Sequence, residues 1–308
     1  MKSRRLFSLF CAVLAAMMIL LGGCAAQAED KIFITSFYPM YVFAQNVARD
    51  VPGVRVQNMT DQNVGCLHDY QLQTRDMVML EDASALVING GGMEQFVEKV
   101  ASMYADLPVI DASAGIDMLC AEGETDHDHA HGEHDHAHLY NAHVWLNPVY
   151  AMVQVGHIAE GFAAADPENA QAYRDNAAAY VEKLSALHEE IAAALAPFAG
   201  REIITFHEAF TYFAEAYDLH VAGVIAYDSG EEPGTREIAR TCDLVKELGI
   251  TTLFIEPQYP SRAAETIARE TGATIDTLDP VVSGDGAMDS YERIMRENAR
   301  VLTEAFTR

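Results

Sequence analysis

The sequence predicts an α/β protein made of two parallel-sheet halves with one long helix between them. Three observations carry this reading. Short β-rich runs alternate with helical stretches from Lys31 to Asp111, a long run dominated by Ala, Leu, Glu and Lys begins at Asp166, and the alternation resumes at Glu202. Strands separated by helices at this spacing pair in parallel, and such a sheet needs cover on both faces.

Each element follows from its own residues. KIFITS (Lys31–Ser36) is a β-rich strand, followed by a helix from Tyr38 to about Arg49. Val54–Met59 is a second strand, Thr74–Glu81 a short helix and Ala85–Asn89 a buried strand. Gly90–Gly92 is expected to open a helix through Tyr104, and Pro108–Asp111 is a fourth strand. Residues 122–139 then break the pattern: Asp, His, Glu, Gly and Ala with no apolar period predict a loop. In the long run, Asp166 is the expected N-cap and Pro167 the first helical residue. Tyr173, Ala177, Tyr180, Leu184, Leu187, Ile191 and Leu195 recur at three- and four-residue steps, and Pro197 and Gly200 stop the helix. The second half reads as strands at Glu202–Phe206, Val221–Ala226, Thr251–Ile255 and Thr274–Leu278. Helices are expected at Glu208–Tyr217, Thr235–Leu248, Ser261–Thr271 and from Asp289 to Phe306.

The N-terminus reads as an export signal. MKSRR is a positive n-region and Leu6 to Leu21 a short apolar h-region. Leu21-Gly22-Gly23-Cys24 resembles a bacterial lipobox, in which cleavage leaves Cys24 carrying diacylglycerol. The expected organisation is a signal peptide at 1–23, a lipid-anchored tether at 24–30, an N-terminal lobe at 31–165 that includes the loop 122–139, a linking helix at 166–197 and a C-terminal lobe at 198–308. The chain is then extracytoplasmic and held to the bacterial cell membrane through acylated Cys24.

Charge narrows the partners. The chain carries 46 acidic and 20 basic side chains, a net charge of −26, and Lys2, Arg4 and Arg5 leave with the signal. No cationic surplus remains to displace counterions from nucleic acid or to hold an anionic lipid surface. With 50% hydrophobic residues the chain can still bury a core. Twelve His, six of them between His127 and His138, in so acidic a chain suit a cation.

Three histidines outside that loop lie beside strand ends or loop junctions: His68 in GCLHDYQL, His143 in NAHVWLNP, and His207 between EIITF and EAFTYFAEAY. Any one alone reads as a hydrogen-bonded structural His; the three together point to a metal. Three imidazoles and one oxygen make the tetrahedral set that Zn2+ prefers. His157 and His188 on helical stretches, and His220 before a strand, read as surface or packing residues, and Trp145 as a packing anchor. Asp228, Glu231 and Glu232 form an acidic loop that either faces the cleft or a partner, or is simply a solvated turn.

The stretches TSFYPMYVFAQNV, HDYQL, HVWLNP, TFHEAFTYFAEAYDL, FIEPQYPSRAAETIARETGA, LDPV and DSYERIMREN span most of the chain after the signal. In this order they resemble the solute-binding proteins of bacterial metal-ion ABC transporters, the zinc and manganese group of periplasmic or lipoprotein receptors. The resemblance implies two α/β lobes joined by one rigid long helix, with the metal in the cleft between them. It implies His68, His143 and His207 as ligands, with Asp279 of LDP as the carboxylate ligand that some members use. Manganese-type members usually carry Glu at the third position, so His207 favours Zn2+ over Mn2+, and the His-rich loop points the same way. The fourth position is open to water or another Glu; Glu256 of FIEPQY lies close, either as a ligand or as a brace of the cleft. Many relatives have an acidic or Pro residue before the first His, whereas here Cys66-Leu67 precedes it. Cys66 is expected to pair with Cys120 rather than to ligate, because a free thiolate at an exported site oxidises; Cys242 is left buried in the helix from Thr235.

The loop DHDHAHGEHDHAH offers His127, His129, His131, His134, His136 and His138 as an accessory, low-affinity cation trap, against the plainer reading of a solvating linker. The resemblance then implies a monomeric zinc receptor that delivers its ion to an ABC permease and its ATPase. A manganese or iron receptor is the near alternative. A zinc hydrolase is the alternative of another class, but neither HEXXH nor G-x-S-x-G is present, so no enzyme is expected. An adhesin is a third class, for which no residue here speaks.

Overall fold

Two four-stranded sheets, each wholly parallel, carry the structure, a computed structural model that describes residues 30–60, 67, 70–120, 140–225 and 233–308. The first contains β1 (Lys31–Thr35), β2 (Val54–Asn58), β3 (Ala85–Ile88) and β4 (Val109–Asp111), in the order β2-β1-β3-β4. The second contains β5 (Glu202–Thr205), β6 (His220–Val224), β7 (Thr252–Ile255) and β8 (Thr274–Thr277), in the equivalent order β6-β5-β7-β8. Each order reverses beside its first strand, and that reversal opens the crevice in which ligands of such sheets sit. The expected signal, Cys24, Cys66, His68, the loop 122–139 and Asp228, Glu231 and Glu232 lie outside the described residues.

Helices α1 (Tyr38–Val47), α2 (Thr74–Glu81), α3 (Val97–Met103) and α4 (Pro148–Ala165) accompany the first sheet. The long helix α5 (Ala170–Leu195) follows, and α6 (Thr211–Ala216), α7 (Thr235–Leu248), α8 (Arg262–Thr271) and α9 (Ser290–Thr307) accompany the second sheet. None of the described helices is long and apolar enough to cross a membrane.

The long helix buries the seven residues its period selects, Tyr173 through Leu195. It runs 26 residues, about 39 Å at 1.5 Å per residue, between single turns of tighter helix at Pro167–Asn169 and Ala196–Phe198. Asp166 stands at its entry but does not cap the backbone; its carboxylate accepts instead from Asn169 and the Tyr173 hydroxyl. The helix is bound to the first lobe through stacked rings. Phe33 of β1 lies 3.6 Å from Phe162 of α4, and the Phe162 ring meets Tyr173 edge-on at 5.5 Å. It reaches the second lobe through the Tyr180 hydroxyl, which donates to Glu292 of α9.

A second tie between the lobes is the chain from Leu278 to Tyr291. Trp145 Nε1 donates to the Pro280 carbonyl at 2.8 Å, and the Tyr291 hydroxyl donates to the Trp145 carbonyl at 2.7 Å. Tyr38 of α1 donates to Ser290 and accepts the Gly286 N–H, while Asn46 donates to the Met288 carbonyl. One continuous core from Phe33 to Ala305 therefore spans both lobes, and a smaller core around Ile204, Leu253 and Ile267 lies within the second.

Two expectations need correction. The helix expected from Gly90 begins only at Val97, because Gly90, Gly91 and Gly92 all take left-handed φ of 85°, 63° and 85° and form a turn. The helix expected at Glu208–Tyr217 divides into a tight turn, Glu208–Phe210, and the short α6. Cys120 carries a free, exposed thiol, and Cys66, its expected partner, lies outside the described residues. Cys120 pairs by its backbone with Tyr140 in an isolated antiparallel bridge that leaves its side chain in solvent. Cys242 is free and buried in α7, as expected.

Candidate metal centre

The carboxyl ends of the strands bring together residues far apart in sequence. His207 stands two residues beyond β5 and opens the turn Glu208–Phe210; Glu256 directly follows β7, the neighbour of β5 across the reversal point. His143 precedes the turn Val144–Leu146, after which Asn147 caps α4 by accepting the Val149 N–H. His143, His207 and Glu256 are 0%, 3% and 1% exposed.

The two imidazoles face each other through Nε2, at 3.2 Å. Behind each ring, Nδ1 is committed to an oxygen. His207 Nδ1 lies 2.5 Å from Glu256 Oε1, and a carboxylate in that position accepts the Nδ1 proton. His143 Nδ1 lies 2.9 Å from Asn141 Oδ1. The Asn141 amide has only one consistent orientation: Oδ1 also accepts the His143 backbone N–H at 3.0 Å, and Nδ2 donates to the Glu208 carbonyl at 2.8 Å. Its oxygen therefore faces Nδ1, which carries the proton. In the neutral rings both Nε2 lone pairs then point into the same gap. Two ligand nitrogens 2.0–2.1 Å from a tetrahedral ion stand roughly 3.3 Å apart, so a cation fits the observed separation.

Glu256 is placed behind His207, at Nδ1 rather than at the Nε2 that faces His143, which makes it a brace. Its other oxygen, Oε2, is buried without a hydrogen-bond partner among the described residues. Asp279 follows β8; its Oδ1 accepts the N–H of Val281, a β-branched residue held at a left-handed φ of 62°. Burial pushes the Asp279 carboxyl up to about 6 and the charge of Glu256 adds to this, while the Val281 N–H acts in the opposite sense. Among the described residues no group of three or more His, Cys, Asp or Glu is arranged to hold a metal ion, and the expected third imidazole, His68, lies outside them.

The remaining described histidines do not join this group. His157 Nδ1 contacts the Ala112 carbonyl, His188 contacts the Tyr217 hydroxyl, and His220 lies exposed at the start of β6. Asn141 was not legible as functional, although an amide two residues before a candidate ligand is the spacing at which Asn bonds its own following backbone.

The equivalent crevice of the first sheet holds a different carboxylate. Glu94 accepts from the Ser36 hydroxyl beyond β1 and from the Asn89 and Gly90 N–H groups beyond β3, at 2.7, 2.7 and 3.0 Å. Burial pushes it up to about 7 against those three donors, which favour the charge. An acid whose folded pKa is raised binds its proton more tightly when folded, so stability falls as pH rises through the window between the two values. For Glu94 that window runs from 4.5 to about 7. Glu94→Gln should therefore gain on the wild type by about 3 kcal/mol on going from about pH 4 to about pH 8. Urea melts in which both proteins show the same pH slope would contradict this.

Comparison with known proteins places the chain in a family. Residues 34–305 match the family model described as zinc-uptake complex component A, periplasmic. The zinc-binding lipoprotein AdcA of Streptococcus pneumoniae serotype 4 is 31% identical over 304 residues, which cover 96% of this chain. The chain spans 60% of the length of that relative. A crystal structure of ZnuA superposes with a TM-score of 0.76 at 29% identity, covering 90% of this chain and 99% of that one. The solute-binding protein FpvC of Pseudomonas aeruginosa, solved in complex with Mn2+, gives 0.78 at 28% identity, covering 91% and 99%. With its two parallel lobes, its joining helix and a match over most of its length, this chain belongs to the zinc-uptake component A family of solute-binding proteins.

Proposed function

We propose that this chain is an extracytoplasmic receptor that captures Zn2+ between its lobes and delivers it to an ABC permease and its ATPase. The observation that carries the reading is the pair of opposed Nε2 atoms of His143 and His207, each with its Nδ1 held by an oxygen. His68 supplies the third imidazole and Asp279 the carboxylate, with Glu256 as the brace that orients His207. A nitrogen-rich set selects zinc over manganese, which stands lowest in the divalent affinity order and prefers oxygen. The ion is cargo, and nothing in this reading calls for turnover of a substrate.

The organisation read from the sequence belongs to the same proposal: signal at 1–23, lipidated Cys24 with a tether to residue 30, lobes at 31–165 and 198–308, and a joining helix at 166–197. The lipoprotein relative supports the anchor, and the six His of 127–138 form the accessory trap. The receptor acts as a monomer on the outer side of the cell membrane.

Calorimetric titration tests the cargo. One equivalent of Zn2+ is expected to bind tightly and to displace Mn2+ completely from protein loaded with Mn2+ beforehand. Mn2+ that withstands an equivalent of Zn2+ would make this a manganese receptor, the ion found in the FpvC complex.

A further inference from the structure

We propose that Asn141 is the positioning residue that sets the spacing between His143 and His207, by orienting one ring while holding the turn that carries the other. The proposal rests on the reading of those two residues as zinc ligands. Asn141 is 1% exposed and every polar group it has is used. Its Oδ1 accepts from both nitrogens of His143 that face it, backbone N at 3.0 Å and Nδ1 at 2.9 Å. Its Nδ2 donates across to the second lobe, to the Glu208 carbonyl at 2.8 Å in the turn that His207 opens and to the Thr211 hydroxyl at 3.3 Å at the start of α6. Its backbone carbonyl accepts from Tyr212 of α6 at 2.8 Å, and the same hydroxyl accepts the Leu119 N–H at 2.8 Å. The next residue turns the other way: the Ala142 carbonyl accepts from Asn89, at the end of β3, at 2.9 Å. Two consecutive residues before His143 are thus tied to opposite lobes.

Only a neutral carboxamide satisfies both sides. The His143 face needs an acceptor, since the backbone N–H cannot reverse its role. The Glu208 face needs a donor, since a carbonyl cannot. A carboxylate would serve His143 and repel the Glu208 oxygen; an alanine would serve neither and leave Nδ1 without the Asn141 oxygen that fixes it, so that the ring could present either nitrogen to the gap. Partners that orient a metal-binding His typically change affinity by 10–100-fold when removed.

The test compares Asn141→Ala, Asn141→Asp and His143→Ala in the full chain. Zn2+ affinity is read by competition with a chromogenic chelator. The His143 ring tautomer is read in the zinc-free protein by nitrogen-15 NMR. Asn141→Ala is expected to bind about 10–100-fold more weakly, with His143 no longer confined to the Nδ1–H form. Asn141→Asp should keep that tautomer and bind with an affinity between alanine variant and wild type. A loss of packing alone would lower the melting temperature without moving the tautomer. If Asn141→Ala or, should that variant not fold, Asn141→Asp binds as tightly as wild type while His143→Ala has lost its zinc, the role of Asn141 is refuted and the site stands. Wild-type affinity in His143→Ala refutes both.

Discussion

Replacing His207 with alanine is expected to weaken Zn2+ binding by more than about a thousandfold, well beyond the 10–100-fold typical of a residue that merely orients a ligand. The substitution removes one of the two nitrogens that face each other across 3.2 Å. Glu256 cannot substitute, because it lies on the Nδ1 side of the ring it would have to replace. The variant should also lose stability. Glu256 is 1% exposed and its Oε2 already has no partner among the described residues, so the loss of His207 leaves Oε1 without its donor as well. Leaving a buried acceptor without its donor costs about 1–3 kcal/mol, and more when the acceptor is a carboxylate. His143→Ala separates the two effects. Its partner behind the ring is the neutral Asn141 amide, so zinc affinity should collapse to a similar extent with a smaller fall in stability. Chelator competition and urea melts on the two variants check both halves. Equal stability losses would mean that Glu256 is not the brace described above.

Trp145→Ala is expected to cause the largest loss of stability of any single change near the cleft. The indole is fully buried, meets Phe37 edge-on at 5.0 Å and lies 5.1 Å from the His143 ring. Truncating a buried aromatic side chain costs about 3–5 kcal/mol. The Pro280 carbonyl, which accepts from Nε1, is left without its donor, at a further cost of about 1–3 kcal/mol. For a chain of this size the melting temperature should fall by roughly 10 °C or more. Trp145→Phe keeps most of the packing and loses the hydrogen bond, so its cost should be nearer about 1–3 kcal/mol. Because the bond runs from the segment after His143 to the segment after Asp279, a melting temperature unchanged in Trp145→Ala would show that this tie does not hold the lobes together.

What the sequence made legible divides along physical lines. Helix α5 was readable residue by residue because one face packs and the other is solvated, so a single period marks the seven buried side chains. The parallel strands were readable as short apolar runs because both faces are covered; β3 is buried at all four positions. Helix α4 was not placed from the sequence: it is packed by α1, β4 and α5, and burial on several sides erases the amphipathic stripe. The late start of α3 was not legible either. Three consecutive glycines are compatible with several backbones, and the one adopted depends on Glu94 accepting the N–H groups that begin the turn.

At the site, His143 and His207 were visible as residue types beside a junction and a strand end. Their partners were not equally so. Glu256 was seen as near the site, but only its place behind Nδ1 separates a brace from a ligand. Asn141 depends on a contact 67 residues away, with the Glu208 carbonyl, and no local pattern encodes that. The expected pairing of Cys66 with Cys120 rested on the proximity of their segments. The outward orientation of Cys120 on its bridge with Tyr140 depends on strand register, which the sequence left open.

The central claim is that one Zn2+ is held between the lobes by the Nε2 atoms of His143 and His207. Diffraction from zinc-loaded crystals, with anomalous data collected on both sides of the zinc absorption edge, tests it most directly. A single strong peak is expected in the cleft, about 2.0–2.1 Å from both Nε2 atoms, with Glu256 still behind His207. A peak bound through Nδ1 of either ring, or one elsewhere on the surface with the gap between the two rings empty, would contradict it.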